Sequence, residues 1–148
     1  MTYRLLVTLH LLGAAVWVGG HLVLALSVLP RALRAHDPAI IREFESGFER
    51  LGIPALLVQV VTGLWLAHHW APDVAGWLSP STPPARLVLV TLALLAATVA
   101  LAVHARLRVL PQLDAATLPV HAYHIVAVTL LGVALLVVGV AIRTEAVF

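Results

Sequence analysis

The sequence predicts an all-α integral membrane protein: a four-helix bundle forming one domain over residues 1–148. Three observations carry that expectation. Hydrophobic residues make up 61% of the chain and charged ones 11%, against about 45–50% and about 25% in a soluble domain. Mean hydropathy is +1.02. Four segments each supply the roughly 20 mostly apolar residues that cross a bilayer. In lipid the backbone must satisfy its own polar groups, so each segment reads as a helix.

The first helix is expected over Tyr3–Leu29, stopping at Pro30-Arg31. It reads as a span rather than a cleaved leader, because its apolar run exceeds the usual 7–15 residues and holds two histidines. The connection Arg31–Arg50 is polar and helix-like. Phe44, Phe48 and Leu51 fall on one face, which suggests an interfacial amphipathic stretch leading into the second helix. That helix covers Leu51–Trp70. The next connection, Ala71–Ala85, holds four prolines with Trp70 and Trp77 beside them, and reads as an ordered loop at the membrane surface. The third helix covers Arg86–Arg106 and the fourth Val120–Ile142, joined by the short stretch Leu107–Pro119.

All nine basic residues are arginine. Arg4, Arg86 and Arg143 lie on the side of the termini, and Arg31, Arg34, Arg42, Arg50, Arg106 and Arg108 on the other. This excess places the two short connections inside the cell and both termini outside, in a multi-pass protein of the plasma (inner) membrane. A net charge of +2, scattered along the chain, gives no footprint for nucleic acid. The partner it does require is the lipid bilayer; a homodimer is compatible with the sequence.

There is no cysteine, and Met1 is the sole methionine, so thiolate and thioether sites are excluded. The acidic residues Asp37, Glu43, Glu45, Glu49, Asp73, Asp114 and Glu145 all fall outside the expected spans, which argues against a carboxylate-driven ion transporter. What remains is eight histidines, most of them in apolar sequence. Polar rings in lipid need partners and face the bundle. By depth they form two groups. His10 with His68 and His69 lies toward the terminal side, and His21, His104, His121 and His124 toward the other; His36 is in the polar connection. His10 and His21 are eleven residues apart, about three turns, and share a face with Gly13, Ala14 and Trp17, about 16 Å apart along the axis. His121 aligns with Val128, Gly132 and Gly139, and glycines there let a helix or flat ring approach. Arg86 and His104 share a stripe. His69 nearly aligns with Thr62, so it is favoured over His68 as the inward ring. His68 and His121 read as interfacial.

Imidazole suits iron, copper, zinc and nickel, whereas Cu(I) favours sulfur. The residues therefore point first to haem b, one or two copies, in a protein with a redox or electron-transfer role. His10 and His69 would be ligands at one depth and His104 and His124 at the other, with His21, His68 and His121 as competitors. Arg86 and Arg143 on the terminal side, and Arg106 and Arg108 on the other, could pair with propionates. Such a role implies an electron partner, a quinone or another carrier. The alternative is a copper ion held or passed by the same histidines, with His10, His69, His104 and His124 as metal ligands.

The segment LHLLGAAVWVGGHLVLALSVLPRALRAH, with His10, Trp17, Gly19-Gly20, Leu29-Pro30-Arg31 and His36, resembles the start of the CopD copper-resistance membrane domain and of the related HemJ-type protoporphyrinogen oxidases. The likeness continues through EFESGFERLGIPALLVQVVTGLWL, with Phe48, Glu49, Leu51, Pro54 and Gly63, and through GWLSPSTPPARLVLVTLALLAATVALAVH. The resemblance implies a four-helix membrane bundle. For the oxidase branch it also implies haem b, a functional His10 and a membrane oxidoreductase activity. Arg86 stands where that branch carries lysine. HAYHIVAVTLLGVALLVVGVAIRT looks more like the CopD branch, for which the resemblance implies copper binding, transport or resistance.

Overall fold

The computed structural model describes residues 2–78 and 82–145, leaving the side chains of residues 78, 84, 143 and 145 undescribed. Four helical rods are long and apolar enough to cross a membrane: Thr2–Ala35, Ala39–Trp70, Ala85–Gln112 and Leu118–Ile142. The chain is thus a multi-pass membrane protein with a four-helix bundle. The helices are α1 (Thr2–Val23), α2 (Leu29–Ala35), α3 (Ala39–Trp70), α4 (Pro83–His104) and α5 (Leu118–Glu145).

The first rod does not stop at Pro30. A π-helical turn, Leu24–Val28, joins α1 to α2 and carries the helix to Ala35. Proline lacks an N–H and crowds the preceding turn. The wider turn before Pro30 takes up that crowding, and Pro30 falls in the first turn of α2, where its missing donor costs little. The rod ends at His36, whose φ of 52° is left-handed and whose N–H closes onto the Ala32 and Leu33 carbonyls. Asp37 Oδ1 then accepts from the Ala39 N–H at 2.9 Å and starts α3. The connection is therefore three residues long. The amphipathic stretch expected before the second span is helical and continuous with it, its Ile41 fully buried.

At the terminal end, Trp77 Nε1 donates to the Ala71 carbonyl at 2.7 Å and orders the loop between α3 and α4. Thr82 caps α4, with Pro83 at its first position. A second π-helical turn, Ala105–Val109, follows α4, and a short 3₁₀ turn, Leu110–Gln112, completes that rod. Both π turns lie at the end of the bundle away from the termini, here called the far end.

Packing follows chain order only in part. α1 lies along α3, α4 along α5, and α1 also meets α5, while α3 and α4 scarcely touch. The α1–α3 pair is close because Gly13 faces α3: a Cβ there would stand 2.8 Å from the Ala55 carbonyl oxygen. The expected stripe Gly13, Ala14, Trp17 is buried. Gly132 of α5 faces Val18, but nothing comes within 4 Å of a Cβ at Gly139, so the glycine stripe of α5 is used only at its first half. The tightest core is at the far end, where Leu24, Val28, Leu29, Ala32, Ile41, Leu113, Leu118 and Ile125 pack together.

Candidate functional site

At the terminal half the histidines stay apart. His10 Nδ1 lies 2.9 Å from the Gln59 carbonyl and 3.1 Å from Thr62 Oγ1. Its ring rests on Gly63, where a Cβ would be 2.9 Å from Cε1. Nδ1 therefore serves as the donor and fixes the ring against α3. His69 lies seven residues beyond Thr62, about 10 Å farther along the helix. It is exposed, stacks on Trp65 with ring centroids 5.6 Å apart, and meets Tyr3 at 5.1 Å. The expected pairing of His10 with His69 is thus not formed: the end of α3 carries His69 past the His10 site to an aromatic group at the rim. His68 is also exposed, as is Arg86, in the first turn of α4. The Arg143 side chain lies outside the described residues. His36 is exposed in the turn.

The far half is different. His21, Glu45, Glu49, Arg106, His121 and His124 line one cavity of about 260 Å³, with Trp17, Phe48, Ile125 and Val128 among its apolar walls. All four rods contribute. The space lies between α3 and α4, which scarcely touch. Phe48 lies in a notch of two glycines, and a Cβ at Gly20 would overlap its ring. Phe48 meets His21 edge-on at 5.7 Å, and Trp17 covers His21 at 4.4 Å.

Each polar group has a defined hold. His21 Nδ1 lies 2.8 Å from the Trp17 carbonyl, one turn back on its own helix, which leaves Nε2 as the atom for a ligand. His121 is 1% exposed, and its Nε2 lies 3.4 Å from Glu45 Oε1. His121 Nδ1 and Glu45 Oε2 are buried and have no partner among the described residues. Reading His121 as interfacial is therefore corrected: α5 begins two residues earlier than the apolar run suggests, and the Glu45 side chain of α3 reaches its first turn. His104 Nδ1 and His124 Nε2 are 3.0 Å apart with the rings nearly parallel, so one donates to the other. Arg106 forms an ion pair with Glu49.

Glu45 and Glu49 are the members that sequence reasoning missed. They sit in what reads as an interfacial amphipathic stretch outside the spans. The available signal was their spacing with Phe48 and Gly52 on one helical face, at i, i+3, i+4 and i+7. Among the described residues, no three His, Asp or Glu side chains stand close enough together to hold one metal ion. The donors are gathered around a space rather than closed on a point.

Residues 42–143 match the copper resistance protein D family, CopD. The chain belongs to that family. The match begins at the start of α3 and runs through α5, so it takes in Glu45, Glu49, Arg106, His121 and His124 of the cavity. No curated protein and no solved structure matches the chain. CopD membership bears on the copper alternative raised by the sequence and adds nothing to the haem b reading.

Proposed function

We propose that this CopD chain handles copper within the membrane, and that the far-end cavity is where the ion is held in transit. The observation that carries the reading is the His121–Glu45 pair: His121 buried and Glu45 partly so, only loosely joined, and with one polar atom on each side unpartnered among the described residues. Such atoms are costly unless a ligand satisfies them. Imidazole nitrogen and carboxylate oxygen are donors suited to Cu(II), whereas Cu(I) would favour sulfur, which this chain lacks. His21 and His124 would supply further nitrogens. A passing ion must be bound well enough to enter and weakly enough to leave. Donors spread around a space suit cargo better than a closed cage does. With the arginine-rich far end inside the cell, the cavity would face the cytoplasm.

The haem b reading keeps one supporting feature, apolar and aromatic walls with histidines among them. The space does not fit: about 260 Å³ falls below the roughly 300–1,000 Å³ of pockets for drug-sized ligands, and haem is a large one. His10 and His69, the expected axial pair of the terminal half, have separate partners. A quinone or other electron partner belongs to this second reading only, as does the porphyrinogen-oxidising activity ascribed to His10 and Arg86.

The test is metal analysis and visible spectroscopy on the purified full chain loaded with Cu(II). The expected result is bound copper, weakened about tenfold or more by His121→Ala and by Glu45→Gln, with no haem band. Copper retention unchanged in both variants, or a reduced haem b spectrum, would overturn the proposal.

A further inference from the structure

The cavity has a neighbour. A second recess of about 410 Å³ lies beside it at the far end, lined by Arg42, Ser46 and Pro111 among others, and it shares Glu45, Glu49, Arg106 and Leu110 with the cavity. It is the more open of the two. The residues common to both spaces mark the neck between them. Across that neck runs the Arg106–Glu49 ion pair, from the π turn after α4 to α3. These are the two rods that scarcely touch, so the ion pair bridges a cleft that packing leaves open.

We propose that this cleft is the access route of a metal cation to the cavity, and that the Arg106–Glu49 pair is its gate. The proposal rests on the copper reading for the identity of the cargo, but not for the existence of the gate. Three features support it. First, the pair is solvent-accessible on both sides, with side-chain exposures of 57% and 35%. Exposed ion pairs are weakly held, so this one opens at little cost. Second, Arg106 sits on a π turn, a local widening of the helix that recurs at functional sites. Third, the route has a destination. His121, 1% exposed and lining the cavity, leaves Nδ1 unpartnered, and Glu45 Oε2 is likewise unpartnered.

The steps follow from charge. With Arg106 on Glu49, a guanidinium stands in the neck and repels an incoming cation. A cation in the outer recess competes for the Glu49 carboxylate, and the released guanidinium turns toward the open recess. Glu45 is one turn farther along the same face of α3, about 6 Å on, and presents the next carboxylate. His121 then receives the ion. Arg42 does not substitute for Arg106, because it is engaged with the Leu113 carbonyl.

The chain has no cysteine, so a single introduced thiol reports on access. Ala102 lines the cavity. The experiment measures the labelling rate of Ala102→Cys, in the full chain in detergent, with a cationic and with a neutral methanethiosulfonate of similar size. Arg106→Gln should raise the cationic rate at least tenfold and the neutral rate far less. Glu49→Gln, which frees Arg106 without removing its charge and deletes the first carboxylate, should raise the neutral rate and leave the cationic rate at or below that of the parent. Ala105→Cys, also on the cavity wall, serves if Ala102→Cys does not fold. Equal cationic rates with and without Arg106→Gln would overturn the gate. If labelling is gated but the chain binds no Cu(II), the gate stands and the copper reading fails. If Cu(II) binds but labelling is ungated, the copper reading stands and the gate fails.

Discussion

His121 Nε2 faces Glu45 Oε1 across 3.4 Å, and the second polar atom of each residue is buried with no partner among the described residues. The pair joins the first turn of α5 to the third polar residue of the α3 rod. It is the point where the far-end core becomes a polar wall. Its two ends are unequal, since Glu45 is partly buried and His121 almost wholly so.

That inequality makes a prediction for the metal-free chain. Removing one partner of a buried polar pair leaves the other unsatisfied, at about 1–3 kcal/mol. Glu45→Ala strands His121 in the core, whereas His121→Leu removes the more buried group and leaves Glu45 near the open recess. Thermal unfolding in detergent should therefore show Glu45→Ala destabilising by about 1–3 kcal/mol and His121→Leu by less. The opposite order would mean that the pair is held by something other than burial of His121.

The closeness of α1 and α3 yields a second expectation. A Cβ at Gly13 would stand 2.8 Å from the Ala55 carbonyl and 3.0 Å from Gln59 Cβ, and backbone cannot move aside as a flexible side chain can. Gly13→Ala should cost about 1–3 kcal/mol, the usual range for overpacking. Gly139→Ala is the control, since nothing lies within 4 Å of its Cβ. It should be neutral or slightly stabilising, because Ala exceeds Gly in helix propensity by about 1 kcal/mol. Equal unfolding temperatures for the two variants would rule out the close approach.

The four spans were legible because lipid imposes long apolar runs on the chain. The bounds were less so. Pro30 reads as a stop, yet a π turn absorbs it and α2 runs on to Ala35. The depth sorting of the histidines was also legible: His21, His104, His121 and His124 all belong to the far half, and His104 and His124 meet. The terminal pairing was not, because helical phase alone aligns His69 with Thr62 while rise along the axis carries it past His10. Glu45 and Glu49 were placed outside the spans because their segment is polar. Only the side-chain contact of Glu45 with His121 at the start of α5, and of Glu49 with Arg106 after α4, ties that face to the bundle, and tertiary contacts of that kind leave no local pattern.

Phe48 and Gly20 should couple. A Cβ at Gly20 overlaps the Phe48 ring, and Phe48 closes the cavity beside His21. Gly20→Ala alone should destabilise the chain as the ring is forced out. Adding Phe48→Leu should restore part of that loss, a coupling of about 0.5–3 kcal/mol for residues in contact. Strict additivity of the two changes in unfolding free energy would show that the notch is not filled by this ring.

The loop before α5 carries a reciprocal cap that should be visible in a titration. The Thr117 N–H donates to Asp114 Oδ1 at 2.7 Å, and the Asp114 N–H donates to Thr117 Oγ1 at 2.8 Å. The Thr117 backbone N–H, then its hydroxyl, hold the Asp114 carboxyl below its ordinary value, with smaller help from the Ala116 N–H and the charge of Arg42. A depressed carboxyl stabilises the fold above its unfolded pKa, and that contribution fades as pH falls through the folded one. Asp114 lies outside the spans, so the effect is confined to the acid limb. Thr117→Val removes the hydroxyl but keeps the N–H, and should raise the Asp114 pKa part of the way to the ordinary carboxylate value, as read by carboxyl-carbon NMR in detergent. Asp114→Asn keeps an acceptor for the Thr117 N–H but cannot titrate, so it should flatten the acid limb of stability while leaving neutral-pH unfolding near that of the parent chain. If Thr117→Val leaves the Asp114 titration unmoved, the hydroxyl plays no part in setting that carboxyl's charge.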